Sequence, residues 1–154
     1  LDISKTNKNF MVRNKQYLFK EGITCSSMGV EFSACYLPEG CTFGVNANIF
    51  CPNSDTWWLL GYLNSRLVSY LVRGVLLRSN MITSGYVSRI PLLDFSEAAK
   101  TEVSLLSQQC FAAKGDDIRN CLKSIDAIVF YESGLSLDSV DQIVDFTSSL
   151  IRLT

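Results

Sequence analysis

Between Tyr17 and Cys51 the apolar and polar positions follow a period of two, with β-favouring residues and turn residues between them. Tyr17-Leu18-Phe19 and Ile23-Thr24-Cys25 read as short strands flanking a turn at Gly22, and Glu31 to Leu37 reads as another strand. Pro38-Glu39-Gly40 places Pro and Gly where a tight turn wants them, so Cys41 to Phe50 is expected to return as the second strand of a hairpin. The period then changes. Pro52-Asn53-Ser54-Asp55 offers side-chain caps, and one long helix is expected from about Thr56 to Arg73 or beyond. Leu59, Leu63, Leu67, Tyr70 and Leu71 would form its apolar face, and Tyr62, Arg66, Ser69 and Arg73 a polar stripe opposite. Ser79 to Ser84 is polar without a period, and Gly85 to Ile90 reads as a short strand stopped by Pro91.

Beyond Pro91 the pattern is helical throughout. Ser96 to Ala113, Asp117 to Tyr131 and Leu137 to Leu150 are three amphipathic stretches, separated by Lys114-Gly115-Asp116 and Ser133-Gly134. Ser136 is placed to cap the last, with Leu135 able to staple onto Val140. The expected fold class is therefore α+β: a mixed sheet or hairpin with one long helix over residues 1–91, then a helical segment over residues 92–154 packing on it or on a neighbouring domain. Trp57 to Leu77 is apolar enough to suggest a membrane span, but Asn64, Ser65, Arg66, Ser69 and Arg73 interrupt its middle, and each central Arg costs about 2.5 kcal/mol or more in a bilayer.

Composition narrows the chemistry. The 154 residues are 47% hydrophobic and 19% charged, enough for a sizeable core and incompatible with a disordered or collagen-like chain. There is no His, which removes His-dependent triads and His-ligated zinc. The net charge of −1 conceals a division: residues 1–91 carry nine basic and five acidic side chains, +4, whereas residues 92–154 carry five and ten, −5. A basic half joined to an acidic half suggests a polyanion-facing part. Six cysteines, at positions 25, 35, 41, 51, 110 and 121, show no Cys-x-x-Cys spacing and read as reduced core thiols of a cytoplasmic protein. With no basic-then-apolar leader after Leu1, the chain reads as a piece of something larger.

No phosphate-binding glycine loop and no Gly-x-Ser-x-Gly elbow is present, and Asp138, Asp141 and Asp145 read as a solvated helix face. Catalysis within the chain is not expected. What remains is a set of donors suited to phosphates and base edges: Lys20, Thr24, Ser26, Ser27, Arg66, Arg73, Arg78, Ser79, Asn80, Thr83, Ser84 and Tyr86. Arg66 and Arg73, on one helix face, suit phosphates; the 78–86 loop suits base readout. Trp57 and Trp58 read as core or interface anchors.

Four groups of residues then occur in order: Lys20-Glu21-Gly22-Ile23-Thr24-Cys25-Ser26, Phe32-Ser33 with Tyr36-Leu37-Pro38-Glu39-Gly40, Leu59-Leu60-Gly61-Tyr62-Leu63-Asn64-Ser65-Arg66-Leu67-Val68-Ser69-Tyr70, and Arg89-Ile90-Pro91-Leu92. In this the chain resembles the C-terminal target-recognition region of adenine-specific DNA methyltransferases of restriction-modification and phage-defence systems, of the single-chain type IIG and BREX kind. Ile125-Asp126-Ala127-Ile128-Val129-Phe130-Tyr131, Gly134-Leu135 and Asp138-Ser139-Val140 resemble the helical segment that closes such proteins. The family commonly has an aromatic residue in place of Cys25 and an Arg near Cys35. Its Asn/Asp-Pro-Pro-Tyr/Phe motif and its Gly-rich S-adenosylmethionine loop are absent here.

The resemblance implies a specificity module of a bacterial or archaeal cytoplasmic enzyme. Its partner would be double-stranded DNA, held for a covalently linked methyltransferase domain that binds S-adenosylmethionine and methylates adenine at N6. It implies no cofactor, metal or membrane for this part, and leaves the oligomeric state open. The alternative reading is a helical protein-interaction module without DNA readout.

Overall fold

The computed structural model describes residues 15–28, 31–42, 47–49, 56–77 and 81–151. It is α+β. Strands β1 (Gly22–Cys25), β2 (Ala34–Leu37) and β3 (Ala47–Ile49) form an antiparallel sheet in the order β2-β1-β3. Thr24 sits opposite Cys35 on one side and Asn48 on the other. Alternation along β1 buries Ile23 and Cys25, which anchors the sheet to the core.

The expected hairpin between β2 and β3 is corrected. Both strands pair with β1, so they flank it and run parallel to each other, and the hairpin is β1–β2, whose loop is closed by Ser26 N–H donating to the Ser33 carbonyl at 3.1 Å. The turn at Pro38–Gly40 forms, with Gly40 at φ +82°, but Gly40 N–H donates to the Phe19 carbonyl (2.9 Å) and so ties the chain to the approach to β1 rather than opening a ladder against β2. The strand expected at Tyr17–Phe19 is instead a 3₁₀ turn at Lys15–Tyr17 and its exit, and Gly22 is the first residue of β1 rather than a turn.

The long helix is also corrected: it is broken into three. Helix α1 (Thr56–Leu63) stops at Asn64, whose side chain leaves the helical pattern to serve β2. Asn64 Oδ1 accepts from Ala34 N–H (3.0 Å), while Nδ2 donates to the carbonyls of Ala34 (2.9 Å) and Leu60 (3.0 Å). The amide thus pairs with Ala34 as a neighbouring strand would. Ser65, extended at ψ 155°, restarts the chain by accepting Val68 N–H on Oγ (3.3 Å), giving α2 (Arg66–Tyr70). A π-helical turn over Leu71–Leu76 follows, closed by Leu77 N–H donating to the Val72 carbonyl. The caps expected at 52–55 lie outside the described residues.

Gly85 to Ile90 is not a strand. Thr83, extended, precedes a one-turn helix α3 (Ser84–Val87), and amide bonds from Tyr86, Val87, Ser88, Arg89 and Ile90 run back three or four residues. The buried positions, Val87 and Ile90, are three apart, the spacing of a helix face rather than a strand.

The three C-terminal helices are α4 (Glu97–Ala112), α5 (Asp116–Ser133) and α6 (Leu137–Ile151). Ser96 caps α4 through Ala99 N–H, and Glu132 accepts Ser96 N–H (2.8 Å) and hydroxyl (3.2 Å), binding the start of α4 to the end of α5. Gly134, left-handed at φ +65°, ends α5. Ser136 caps α6 by accepting Ser139 N–H.

These helices share one core with the first part. Ile23 and Cys25 of the sheet, Leu63, Val68 and Val72 of the central helical run, Val103 of α4, Val129 of α5 and Ile143 of α6 belong to a single buried cluster. Helices α1 and α4 cross closely at Gly61, where an added Cβ would lie 2.6 Å from Val103 Cγ1 and nearer still to Ser107 Oγ. Trp57 stacks on Tyr36 (4.9 Å between centroids) and Trp58 packs against Tyr62 and Phe95. Of the five described cysteines all are free, and only Cys25 is a core thiol, its pKa pushed up to about 12 by burial and the neighbouring Cys35. Cys35 and Cys41 are exposed, a correction to the core reading: in β2 it is Ala34 that faces the core beside Cys25, so its strand neighbour Cys35 turns to the other side of the sheet. Among the described residues no helix is long and apolar enough to cross a membrane.

Candidate nucleic-acid interface

Two segments that the sequence keeps far apart meet at the end of β1. Beyond Cys25 the chain passes Ser26 and Ser27, and the Ser27 carbonyl accepts Ile82 N–H at 2.8 Å. Met28 and Met81 form an antiparallel bridge. Ile82 is buried beneath this junction, while Met28 and Met81 are 68% and 56% exposed above it. Thr83 and Ser84 follow at the surface, with Tyr86 half-buried behind them. Thus Ser26, Ser27, Thr83, Ser84 and Tyr86 occupy one edge. Arg78, Ser79 and Asn80 lie outside the described residues; their neighbours on either side, Leu77 and Met81, are placed.

The other nominated residues are not brought to that edge. Thr24 is half-buried in the centre of the sheet. Lys20 is exposed but precedes β1, and the four residues of that strand, at about 3.3 Å each, separate it from Ser26. The polar stripe of the long helix is not a continuous solvent face: Tyr62 lies under Pro91 and Phe95, and Arg66 is held by α5 and α6. Tyr62 is 0% exposed, with its hydroxyl donating to the Pro91 carbonyl at 2.6 Å and its pKa pushed up to about 12 by burial. Arg73 is half-buried in the π-turn, where burial lowers the pKa of its guanidinium.

Arg66 is turned inward. Its backbone N–H donates to Asp126 Oδ1 (2.7 Å), and Nε lies 3.5 Å from Asp126 Oδ2. Its Nη1 donates to the Val144 carbonyl (3.2 Å), Thr147 Oγ1 (3.3 Å) and Ser148 Oγ (2.8 Å). One guanidinium therefore joins α2, α5 and α6. Burial pushes the Asp126 carboxyl up to about 6, against the lowering effect of the Arg66 amide and charge.

Three cations escaped the sequence reading. Arg89 is exposed just beyond α3, one position from the buried Ile90, and the helical spacing of Val87 and Ile90 was the signal that could have placed it outward. Arg119 and Lys123, one helical turn apart on α5, border a cleft of about 400 Å³ that also touches Ser33, Arg66 and Ser69 and has Phe32, Leu122 and Leu150 among its apolar walls. Nothing local marks these two, because the cleft exists only once α5 lies against the β1–β2 loop. A separate apolar pocket of about 310 Å³ lies between β2, α1, α4 and α5, with Tyr36 and Phe111 among its walls. Among the described residues no cluster of Cys, Asp and Glu is placed to hold a metal ion.

Compared with known proteins, the chain matches no family model and no curated sequence.

Proposed function

We propose that this chain is a duplex-DNA recognition module of the kind its motifs resemble, the specificity part of a site-specific adenine-N6 methyltransferase of restriction-modification or phage defence. The observation that carries the reading is the bridge between Met28 and Met81, which sets the half-buried Ser26 and Ser27 beside the exposed Thr83 and Ser84 on one edge, with 78–80 adjoining it in the chain. A rigid support carrying short polar side chains suits base-edge contact, and the flanking Arg89 suits a phosphate. Methyl transfer, S-adenosylmethionine binding and extrusion of the adenine belong to the linked catalytic domain in this reading.

The edge makes a direct test. Titrating a duplex oligonucleotide into the ¹⁵N-labelled chain is expected to shift the amides of Ser26, Ser27, Met28, Met81, Thr83 and Ser84. A second reading, a protein-interaction module, is favoured by the end of α5 and the start of α6, where Tyr131 is 85% and Leu137 82% exposed, each followed by an acidic residue, Glu132 and Asp138. Unperturbed edge amides at saturating duplex would favour that second reading.

A further inference from the structure

The β1–β2 loop has two ends on the surface. Its first end, Ser27 and Met28, forms the edge described above; its second, Glu31 to Ser33, borders the 400 Å³ cleft with α2 and α5. The Ser26–Ser33 bond clamps those ends together, so edge and cleft are joined through a single short loop. On the far wall stand Arg119 and Lys123, four residues apart and therefore on one face of α5. They are two of the five basic residues in the strongly acidic C-terminal part.

The charges around the cleft decide what it can hold. Two carboxylates border it, Asp126 and Glu31. Asp126 is engaged by the Arg66 amide and guanidinium. Arg119 pairs with Asp116 within its own helix, but the two side chains are 75% and 81% exposed, and such a pair contributes little and exchanges readily. Lys123 has no ion pair among the described residues, which leaves Glu31 as the one opposing charge at the rim. Arg offers a planar fork matched to two phosphate oxygens and Lys a mobile point charge, while the Ser33 and Ser69 hydroxyls supply uncharged donors.

We infer that this cleft is a phosphate seat, gripped by Arg119 and Lys123, which holds a backbone phosphate of the duplex read at the neighbouring edge and so carries the DNA-contacting surface onto α5. The inference rests on the DNA reading for the source of the phosphate, but not for the seat. The cleft discriminates nothing by base, so its contribution is uniform across sequences.

Two measurements on the full chain separate seat from source. Inorganic pyrophosphate, followed by ¹⁵N NMR, is expected to shift the Ser33, Arg119 and Lys123 amides in the wild type and not in an Arg119→Ala/Lys123→Ala double variant. Duplex affinity measured across salt concentrations is expected to show a slope of log K against log salt shallower by about 1 in that variant, and affinity weaker by roughly five- to tenfold at 0.1 M salt for every sequence alike. Both substitutions are on exposed positions, so the melting temperature should stay within about 2 °C of wild type. Pyrophosphate shifts without any duplex binding by the wild type would overturn the duplex as source and leave a seat for a free phosphate ester. No pyrophosphate shift, together with an unchanged slope in a variant whose parent binds DNA, would overturn the seat itself.

Discussion

At Arg66 one side chain closes three helices, and the pair it makes with Asp126 leaves a signature in solution. Asp126 holds its proton to about pH 6 in the folded protein, against 3.8 for the ordinary side chain, with burial the leading cause. The folded state therefore keeps a proton that the unfolded chain releases. The stability this contributes is full below about pH 4 and lost as pH rises to 6, a change on the order of 3 kcal/mol. Urea denaturation of Asp126→Asn across pH 4 to 6 should lack this fall, since the amide does not titrate. A profile that follows the wild type would show that Asp126 is not the group responsible. None of this is visible in the sequence. Arg66 reads there as a solvent-facing cation because its partners lie 60 to 82 positions further along the chain.

Element by element, legibility follows locality. The C-terminal helices are readable nearly to the residue because their signals are local: Ser136 as a cap, Gly115 and Gly134 as breaks, and apolar positions at helical spacing between them. The first part is less so. The Pro38–Gly40 turn carries every sign of a hairpin, but its amide bonds to Phe19, a partner no local pattern names. The α1–α2 break depends on Asn64 reaching Ala34, again a distant partner. Gly61 is the residue through which the central helices and the tail meet. Gly61→Ala should cost about 1 to 3 kcal/mol by overpacking Val103 and Ser107, measured as a lower urea midpoint at unchanged m. A midpoint equal to wild type would mean that the α1–α4 crossing yields freely.

Over the whole molecule, the division into +4 and −5 about Pro91 is not a division of the fold, since one core runs through both parts. The candidate edge is half legible: its polar residues stand out in the sequence, but it takes the Ser27–Ile82 bond and the Met28–Met81 bridge to bring the two groups together. If that edge reads bases while neighbouring cations hold phosphates, variants divide accordingly. In the methyltransferase proposed as the parent enzyme, Arg78→Ala or Asn80→Ala should relax or change the set of methylated sites by about 1 to 3 kcal/mol of discrimination, whereas Arg89→Ala should weaken methylation of all sites alike. Sequencing methylated sites for each variant checks this, and the same change in all three would contradict the division.

If the chain binds duplex DNA through its surface cations, the affinity of the isolated chain for a duplex oligonucleotide must fall as salt rises from 50 to 300 mM. Measurable binding is expected at the low end, and a linear fall of log K with log salt whose slope corresponds to at least two phosphate contacts, about −1.8 or steeper. Binding that is absent at 50 mM, or that does not respond to salt, would contradict it.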